Sequence, residues 1–497
     1  MTGSTEAQHH RTDLIAGADP SRPLDAVFVN APLRDYSRRP RVNDYTLPVL
    51  GMAYIATYAQ QAGYNVGLLD AEAHGLGIDR TARIVNEAGP RWAGFNLLAP
   101  TYGISARIAH TLDPDIKVMV GGHHAKAMPQ GVLTDPRFER LTALILGEGE
   151  TRVAALLEDH TRRAALPQVM WRDHLLGTTA VGIHHGDPTE WISPDINTLP
   201  FVDRAFLPQD PYTADDGRKE GNIVGSRGCP YDCGFCGAAA SMNPEIKIRT
   251  RTPENVLAEL DQMNACYGTT AYRFVDDLFL GAERIIRTSM DAFTSDRTGE
   301  RYVWDATGRI NVLDRLEDTL LDTLAANGLR EVALGIESGS DRVLKAMDKR
   351  ITVDMTASVT RRLLERGIGV KGYFILGYPG ELTDDLTATV EHIQRLWDLA
   401  DRLPGRFRAS VFEFRPYPGS PVWAQLVKAG HDPQQLQAYD DIDLTEFGAD
   451  EAMRGRDEFN FSVGIPFSQT PLPVIRLHLA NLSRLQHARN QATAVDR

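Results

Sequence analysis

The chain has 497 residues, 42% of them hydrophobic and 24% charged, a composition ordinary for globular proteins and a length that calls for two or three domains. A net charge of −13 without any basic run argues against a nucleic-acid partner, because phosphate binding rests on clustered Lys and Arg, and favours a small-molecule substrate. The sequence contains no membrane-spanning apolar run and no signal-type leader, and its four cysteines are too few for a disulfide framework, so a cytoplasmic protein with reduced thiols and no membrane association is expected.

Residues 1–22 read as a disordered tail. Residues 23–165 alternate short apolar runs with segments of helical spacing. The apolar runs are "DAVFVN" (25–30), "NVGLLDA" (65–71), "WAGFNLLA" (92–99), "KVMVGGHHA" (117–125) and "ALILGEGE" (143–150). Buried-type strands separated by helices predict a Rossmann-like parallel sheet whose ligand site lies in the loops that follow the strands. Residues 166–220 read as a loop-rich connector. A second series, 221–425, places strands at "NIVGSR" (222–227), "AYRFVDD" (271–277), "RYVWDATGR" (301–309), "EVALGIES" (331–338), "KGYFILGY" (371–378) and "ASVFEFRPY" (409–417). One helix between them is well marked: Thr252 as N-cap, Pro253 in the first turn, Val256, Leu257, Leu260 and Met263 on one face, Gly268 at the stop. Six such units are fewer than the eight of a closed barrel, so a partial (β/α)6 TIM barrel is predicted, with its chemistry at the carboxyl ends of the strands. Residues 426–497 are expected to close the barrel mouth.

Three of the four cysteines, Cys229, Cys233 and Cys236, follow the first of these barrel strands in "RGCPYDCGFCG". Zinc usually takes four ligands in paired C-x-x-C spacing, and the chain has no second pair. Three thiolates can instead hold three irons of a cubane and leave the fourth iron open to another ligand. Gly228, Gly234 and Gly237 leave room for a tight loop, and Pro230 stiffens it. Reduced cysteines packed as small hydrophobes are the alternative, but such residues do not cluster among Gly, Pro and Asp. Cys266, alone on the helix at 252–267, reads as a packed helix residue.

"CPYDCGFC" resembles the CxxxCxxC signature of the radical S-adenosylmethionine (SAM) superfamily, with Phe235 as the aromatic residue before the last cysteine. "FVDDLF", "GIESGSDRVLKAMDK", "FILGYPGE" and "RPYPGSP" resemble successive strand-end motifs of the subgroup that carries an N-terminal cobalamin-binding-type domain, and "NAPLRDY", "GGHHA" and "LGEGE" resemble that domain. The resemblance covers roughly residues 25–430. It implies a [4Fe-4S] cluster on Cys229, Cys233 and Cys236, whose open iron is chelated by SAM, and one-electron cleavage of SAM to methionine and a 5′-deoxyadenosyl radical. A low-potential reducing partner such as flavodoxin or ferredoxin is implied with it.

The same resemblance distributes roles along the strand ends. Asp276 and Asp277 would accept from the methionine ammonium, with helix capping as the alternative. Glu337 and Ser338 would meet the ribose hydroxyls, or Glu337 is a buried structural carboxylate. Arg309 would pair with the methionine carboxylate or form a structural salt bridge. Gly377, Tyr378 and Gly380 would let backbone approach the adenine, and Asp276, Tyr378 and Tyr212 are candidate proton donors. In the N-terminal domain, His123, His124 and Glu148 would line a nucleotide-tail pocket. The D-x-H-x-x-G signature of a cobalt-ligating histidine is absent from "NAPLRDYSRRP", which leaves cobalamin open. Three functions follow: C-methylation of a secondary metabolite, cobalamin-independent radical dehydration of an aminosugar diol, or an iron–sulfur electron carrier. The last is the weakest, because a carrier would complete its cluster with four cysteines.

Overall fold

A computed structural model describes residues 13–38, 47–173, 177–187, 189–214, 217–245, 247–441 and 461–495. The chain divides into two compact units, Met1–Asp210 and Pro211–Arg497.

The first unit is built on the five expected strands: β2 (Ala26–Asn30), β3 (Val66–Asp70), β4 (Trp92–Asn96), β5 (Lys117–Gly121) and β6 (Leu141–Ile145). They run parallel in the order β3-β2-β4-β5-β6, so the chain reverses its direction of build at β2 and leaves a crevice beyond the carboxyl ends of β2 and β4. Val27, Val29, Leu69, Phe95, Val118, Val120 and Leu144 are buried, as near-continuous apolar strands covered on both faces must be. The sheet is longer than its five parallel strands. At one edge β1 (Ile15–Ala16) pairs antiparallel with β3, burying Ile15. The supposed tail is therefore ordered from residue 13, because a β-branched side chain finds an open sheet edge; residues 1–12 lie outside the described residues. At the other edge β7 (Val169–Asp173) and β8 (Thr178–Val181) form a hairpin within what reads as connector. The hairpin satisfies the open edge of β6.

In the second unit six parallel strands form the expected partial barrel: β10 (Lys219–Ile223), β13 (Thr269–Phe274), β14 (Val303–Gly308), β15 (Leu329–Glu337), β16 (Gly369–Leu376) and β17 (Phe407–Glu413). A short β9 (Tyr212–Thr213) lies antiparallel on the outside of β10. The first barrel strand ends at Ile223, short of the expected Arg227. Ser226–Arg227 (β11) leave the barrel to pair with Arg249–Thr250 (β12), and these two strands bracket the cysteine loop. The marked helix, Pro253–Tyr267, forms as expected: Thr252 Oγ1 accepts from Asn255 N at 3.3 Å, and Gly268 ends it in the left-handed region. Its Val256, Leu260 and Met263 join Ile223, Phe274, Trp304, Leu334 and Phe374 in one core. Cys266, expected to be packed, is exposed on this helix.

The last helix, Leu472–Val495, packs Ile475, Leu479 and Leu482 into the core beside the edge strand β17. Gln486 Oε1 accepts from Ala409 N at 2.7 Å and from Trp397 Nε1 at 3.0 Å, standing in for a neighbouring strand. The described part of the closing segment thus covers the free edge of the sheet; residues 442–460 lie outside the description.

Candidate functional site

The cysteine loop is held at the carboxyl edge of the barrel by backbone bonds to two other strand-end loops. Gly234 N donates to Met347 O at 2.8 Å, and Gly234 O accepts from Val422 N at 2.8 Å. Gly234 has little room for a side chain, since a Cβ there would come within 2.7 Å of the Tyr378 hydroxyl. Cys233 is buried, Cys229 and Cys236 half-buried. Burial comes first in pushing the Cys236 thiol up to about 11, and the charges of Cys233, Asp277 and Cys229 add to it. Burial likewise raises Cys229, again with Asp277 and Cys233 contributing. Three mutually repelling sulfurs beside a carboxylate are poised to be neutralised by a cationic group. Among the described residues no three His, Cys, Asp or Glu side chains are gathered tightly enough to hold a metal ion. A cubane takes each thiolate at a different iron, so this donor set fits a cluster.

Around the loop stand cations and one strained carboxylate. Arg309, just after β14, donates from Nη1 to Cys233 Sγ at 3.2 Å and from Nη2 to Lys349 O at 2.5 Å, and it lies 3.8 Å from the centre of the Tyr231 ring. Glu337 ends β15 beside a bulge at a φ of 65°, a left-handed conformation costly for Glu, and its Oε1 accepts from Lys349 Nζ at 2.6 Å. Both members of the pair are buried, and Lys349 Nζ lies 5.5 Å from the Phe235 ring. The structure therefore brings Cys229, Cys233, Phe235, Cys236, Asp277, Arg309 and Glu337 together. It adds Lys349, Tyr231 and Asn311, which sequence reasoning missed. Lys349 falls inside a quoted motif, and a cation twelve residues after the strand-end Glu was the available signal.

Other expected residues are placed elsewhere or are already engaged. Asp276 is buried, and its carboxylate accepts from Gly225 N at 2.9 Å and from Ser226 N, which ties β13 to the turn before the cysteine loop. Burial pushes this carboxyl up to about 6 against the pull of those bonds. Its oxygens serve backbone, so it is a strut for the loop rather than a proton donor. Ser338 Oγ is taken up by Thr389 Oγ1 at 3.1 Å and by Ser340 N at 3.1 Å, and so shapes the turn after β15. Tyr212 lies at the opposite, amino end of the barrel, donating to Glu220 Oε1 at 2.5 Å in a network with Arg330 and Asp305. A tyrosine in the connector gave no sign of which barrel end it reaches. Tyr378 is buried against Phe414, its hydroxyl over the cysteine loop, and burial with the nearby Cys233 charge pushes it up to about 12. Gly377, at a φ of 86°, donates its N–H to Glu381 Oε2 at 2.6 Å.

In the first unit the loop after β2 is pinned rather than presented: Leu33 N donates to Glu72 Oε2 at 2.8 Å and Tyr36 Oη to Glu72 Oε1 at 2.6 Å. The loop after β5 turns at Gly122, where a φ of 93° and the closeness of Asn96 Oδ1 exclude a side chain. His123 there is exposed. His124 is buried, stacked 4.3 Å from the Tyr102 ring, held neutral by burial at about 4, and its Nδ1 has no partner among the described residues. After β6, Glu148 is half-buried and its carbonyl accepts from Arg152 Nη1 at 2.5 Å. Arg152 is fully buried and leaves Nε and Nη2 without partners among the described residues. Orphaned polar groups in the first turns of the helices that follow β5 and β6 fit a polar ligand there. Among the described residues no helix is long and apolar enough to cross a membrane.

Comparison with known proteins gives this geometry a context. Residues 223–393 match the radical SAM superfamily and residues 42–157 the B12 binding domain. The chain is 27% identical to an uncharacterized methyltransferase of Pyrococcus horikoshii over 78% of its own length and 80% of that protein's. It is 26% identical to the cytidylyl-2-hydroxyethylphosphonate methyltransferase of Streptomyces wedmorensis over 78% and 79%. Among solved structures, the radical SAM methyltransferase TsrM of Kitasatospora setae, with cobalamin and a [4Fe-4S] cluster bound, has the same fold at a TM-score of 0.61 and 16% identity, over 82% of this chain and 78% of that one. The chain thus carries a radical SAM domain preceded by a B12 binding domain.

Proposed function

We propose that the protein is a cobalamin-dependent radical SAM enzyme that methylates carbon in a small secondary metabolite. The observation that carries this reading is the three-thiol loop at the carboxyl edge of the barrel in a chain that also holds a B12 binding domain. The two relatives of Pyrococcus horikoshii and Streptomyces wedmorensis, both named as methyltransferases, support it over dehydration.

When bound, the cluster, SAM and cobalamin supply reductive SAM cleavage and the methyl group. Cys229, Cys233 and Cys236 would hold the cluster, and Asp277, exposed beside them, would accept from the methionine ammonium. Lys349 is the cation placed to pair with a carboxylate, and Glu337 would accept from ribose hydroxyls. Tyr378 and Phe235 pack the loop and exclude water from the cluster side. The Gly377 turn leaves backbone bare for a flat base. In the other domain, His124, Arg152 and the carbonyl-rich loop at Glu148 would hold the polar tail of the corrinoid, with exposed His123 at the rim. The sequence between β2 and the following helix contains no histidine that could serve as a cobalt ligand. A flavodoxin or ferredoxin of the cytoplasm would deliver the electron.

The test is product analysis. Anaerobically reconstituted, corrinoid-loaded protein, given SAM and a panel of secondary metabolites and aminosugars, should release S-adenosylhomocysteine beside 5′-deoxyadenosine and yield a product heavier by one methyl. Turnover by corrinoid-free protein, with 5′-deoxyadenosine and methionine alone, would overturn methylation in favour of dehydration.

A further inference from the structure

We propose that Arg309 sets the reduction potential of the cluster, by donating a charge-assisted N–H to the Cys233 sulfur from a guanidinium clamped by protein on its other sides. The inference rests on the reading that Cys229, Cys233 and Cys236 hold a [4Fe-4S] cluster.

The geometry assigns the side chain to the sulfur. Arg309 is buried, at 6% exposure, and contacts from three different segments fix its plane. Nη2 donates to Lys349 O beyond β15, Nε donates to Asn311 Oδ1 at 3.2 Å in the turn after β14, and the Tyr231 ring of the cysteine loop lies under the guanidinium at 3.8 Å. Nη1 then meets Cys233 Sγ at 3.2 Å. Every one of these partners is neutral or a sulfur. Among the described residues no carboxylate is in ion-pair contact with Arg309, whereas buried Arg204 has Asp210 and buried Arg251 has Glu259. Its full positive charge is therefore delivered to the cluster side, and its fork is already committed in a chain where Lys349 is placed to meet a carboxylate.

Reduction adds one electron to the cluster, taken from the low-potential flavodoxin- or ferredoxin-type donor, and no bond forms or breaks at Arg309. A fixed cation with an N–H aimed at a ligating sulfur stabilises the more negative, reduced form more than the oxidised one, which raises the potential. Because the guanidinium is held by neutral partners before any ligand arrives, the effect is present without SAM.

The experiment is an EPR-monitored redox titration of the full-length, anaerobically reconstituted protein without SAM, with iron and sulfide counted for each variant. Arg309→Gln should lower the midpoint by a tenfold change or more in the reduction equilibrium, about 59 mV for a one-electron couple. Arg309→Lys, which keeps the charge but loses the clamp, should recover part of that shift. If Arg309→Gln does not retain iron, Asn311→Ala and Tyr231→Leu, which loosen the clamp and leave the charge, should each lower the midpoint by less and in the same direction. An Arg309→Gln protein with full iron and an unchanged midpoint overturns the proposal, as do unchanged midpoints in both clamp variants where the Gln variant is empty. Weaker SAM binding as the sole change would return Arg309 to the methionine carboxylate. Wild-type protein that takes up no iron would fell the underlying reading too, and its iron analysis tells the two failures apart.

Discussion

Glu337 carries the sharpest signal at the scale of single residues, because a non-glycine side chain held at a φ of 65° beside a buried lysine is maintained against its own backbone preference. Breaking a buried pair strands the survivor at a cost of about 3–5 kcal/mol, whereas removing both charges together costs far less. Glu337→Gln and Lys349→Met should therefore each destabilise the fold, and the double variant should regain most of that stability. SAM affinity should fall about tenfold or more in all three, since a charge-assisted hydrogen bond to a buried ligand is worth about 1.5–3 kcal/mol. Equilibrium SAM binding to iron-loaded protein, beside urea unfolding, decides it: a double variant that regains SAM affinity would make the pair a structural feature. The three cysteines proposed to hold the cluster stood out by their spacing, since the chain offers no second C-x-x-C pair to complete a four-thiol site. Asp276 was not. A carboxylate two residues past a strand has the same one-letter code whether it faces a ligand or turns back onto Gly225 and Ser226.

Elements decide what the strand ends can offer. Gln486 on the last helix serves two donors, Ala409 N at the edge of β17, which no strand covers among the described residues, and Trp397 Nε1 on the helix Thr383–Ala400. Gln486→Ala should cost about 2 kcal/mol by leaving both without protein partners, read as a lower urea midpoint at unchanged slope. The Gly377–Glu381 turn adds a pH dependence. Glu381 is fully buried, its Oε1 lacks a partner among the described residues, and burial pushes its carboxyl up to about 7. Above its unfolded pKa the folded state holds a proton that the unfolded chain has released, so stability falls as pH rises from about 4.5 to about 7, by about 3 kcal/mol in all. Unfolding free energies measured across that window should show the fall in the wild type and a flatter profile in Glu381→Gln. Equal slopes would remove Glu381 as the cause.

For the whole molecule, each domain carries its own hydrophobic core and its own candidate ligand groups. Loading of the two cofactors should then be separable. A Cys229→Ala/Cys233→Ala/Cys236→Ala protein is expected to lose its iron and all 5′-deoxyadenosine formation while keeping the corrinoid absorbance of the wild type. Loss of both together would show that the B12 binding domain depends on the cluster loop.

Alternation of buried strands with helices, a cysteine spacing with no fourth partner, and the order of the strand-end motifs are local properties, and the sequence by itself determined from them the two α/β domains and the place of the candidate cluster loop. Chain-distant encounters were beyond its reach. Ile15 joining β3, Tyr212 at the amino end of the barrel, and Arg309 meeting Cys233 across 76 positions of sequence depend on which loop ends the fold brings together. A side chain's type constrains its chemistry, but its partner is chosen by tertiary packing, and only the folded chain shows which donors are free and which are already engaged.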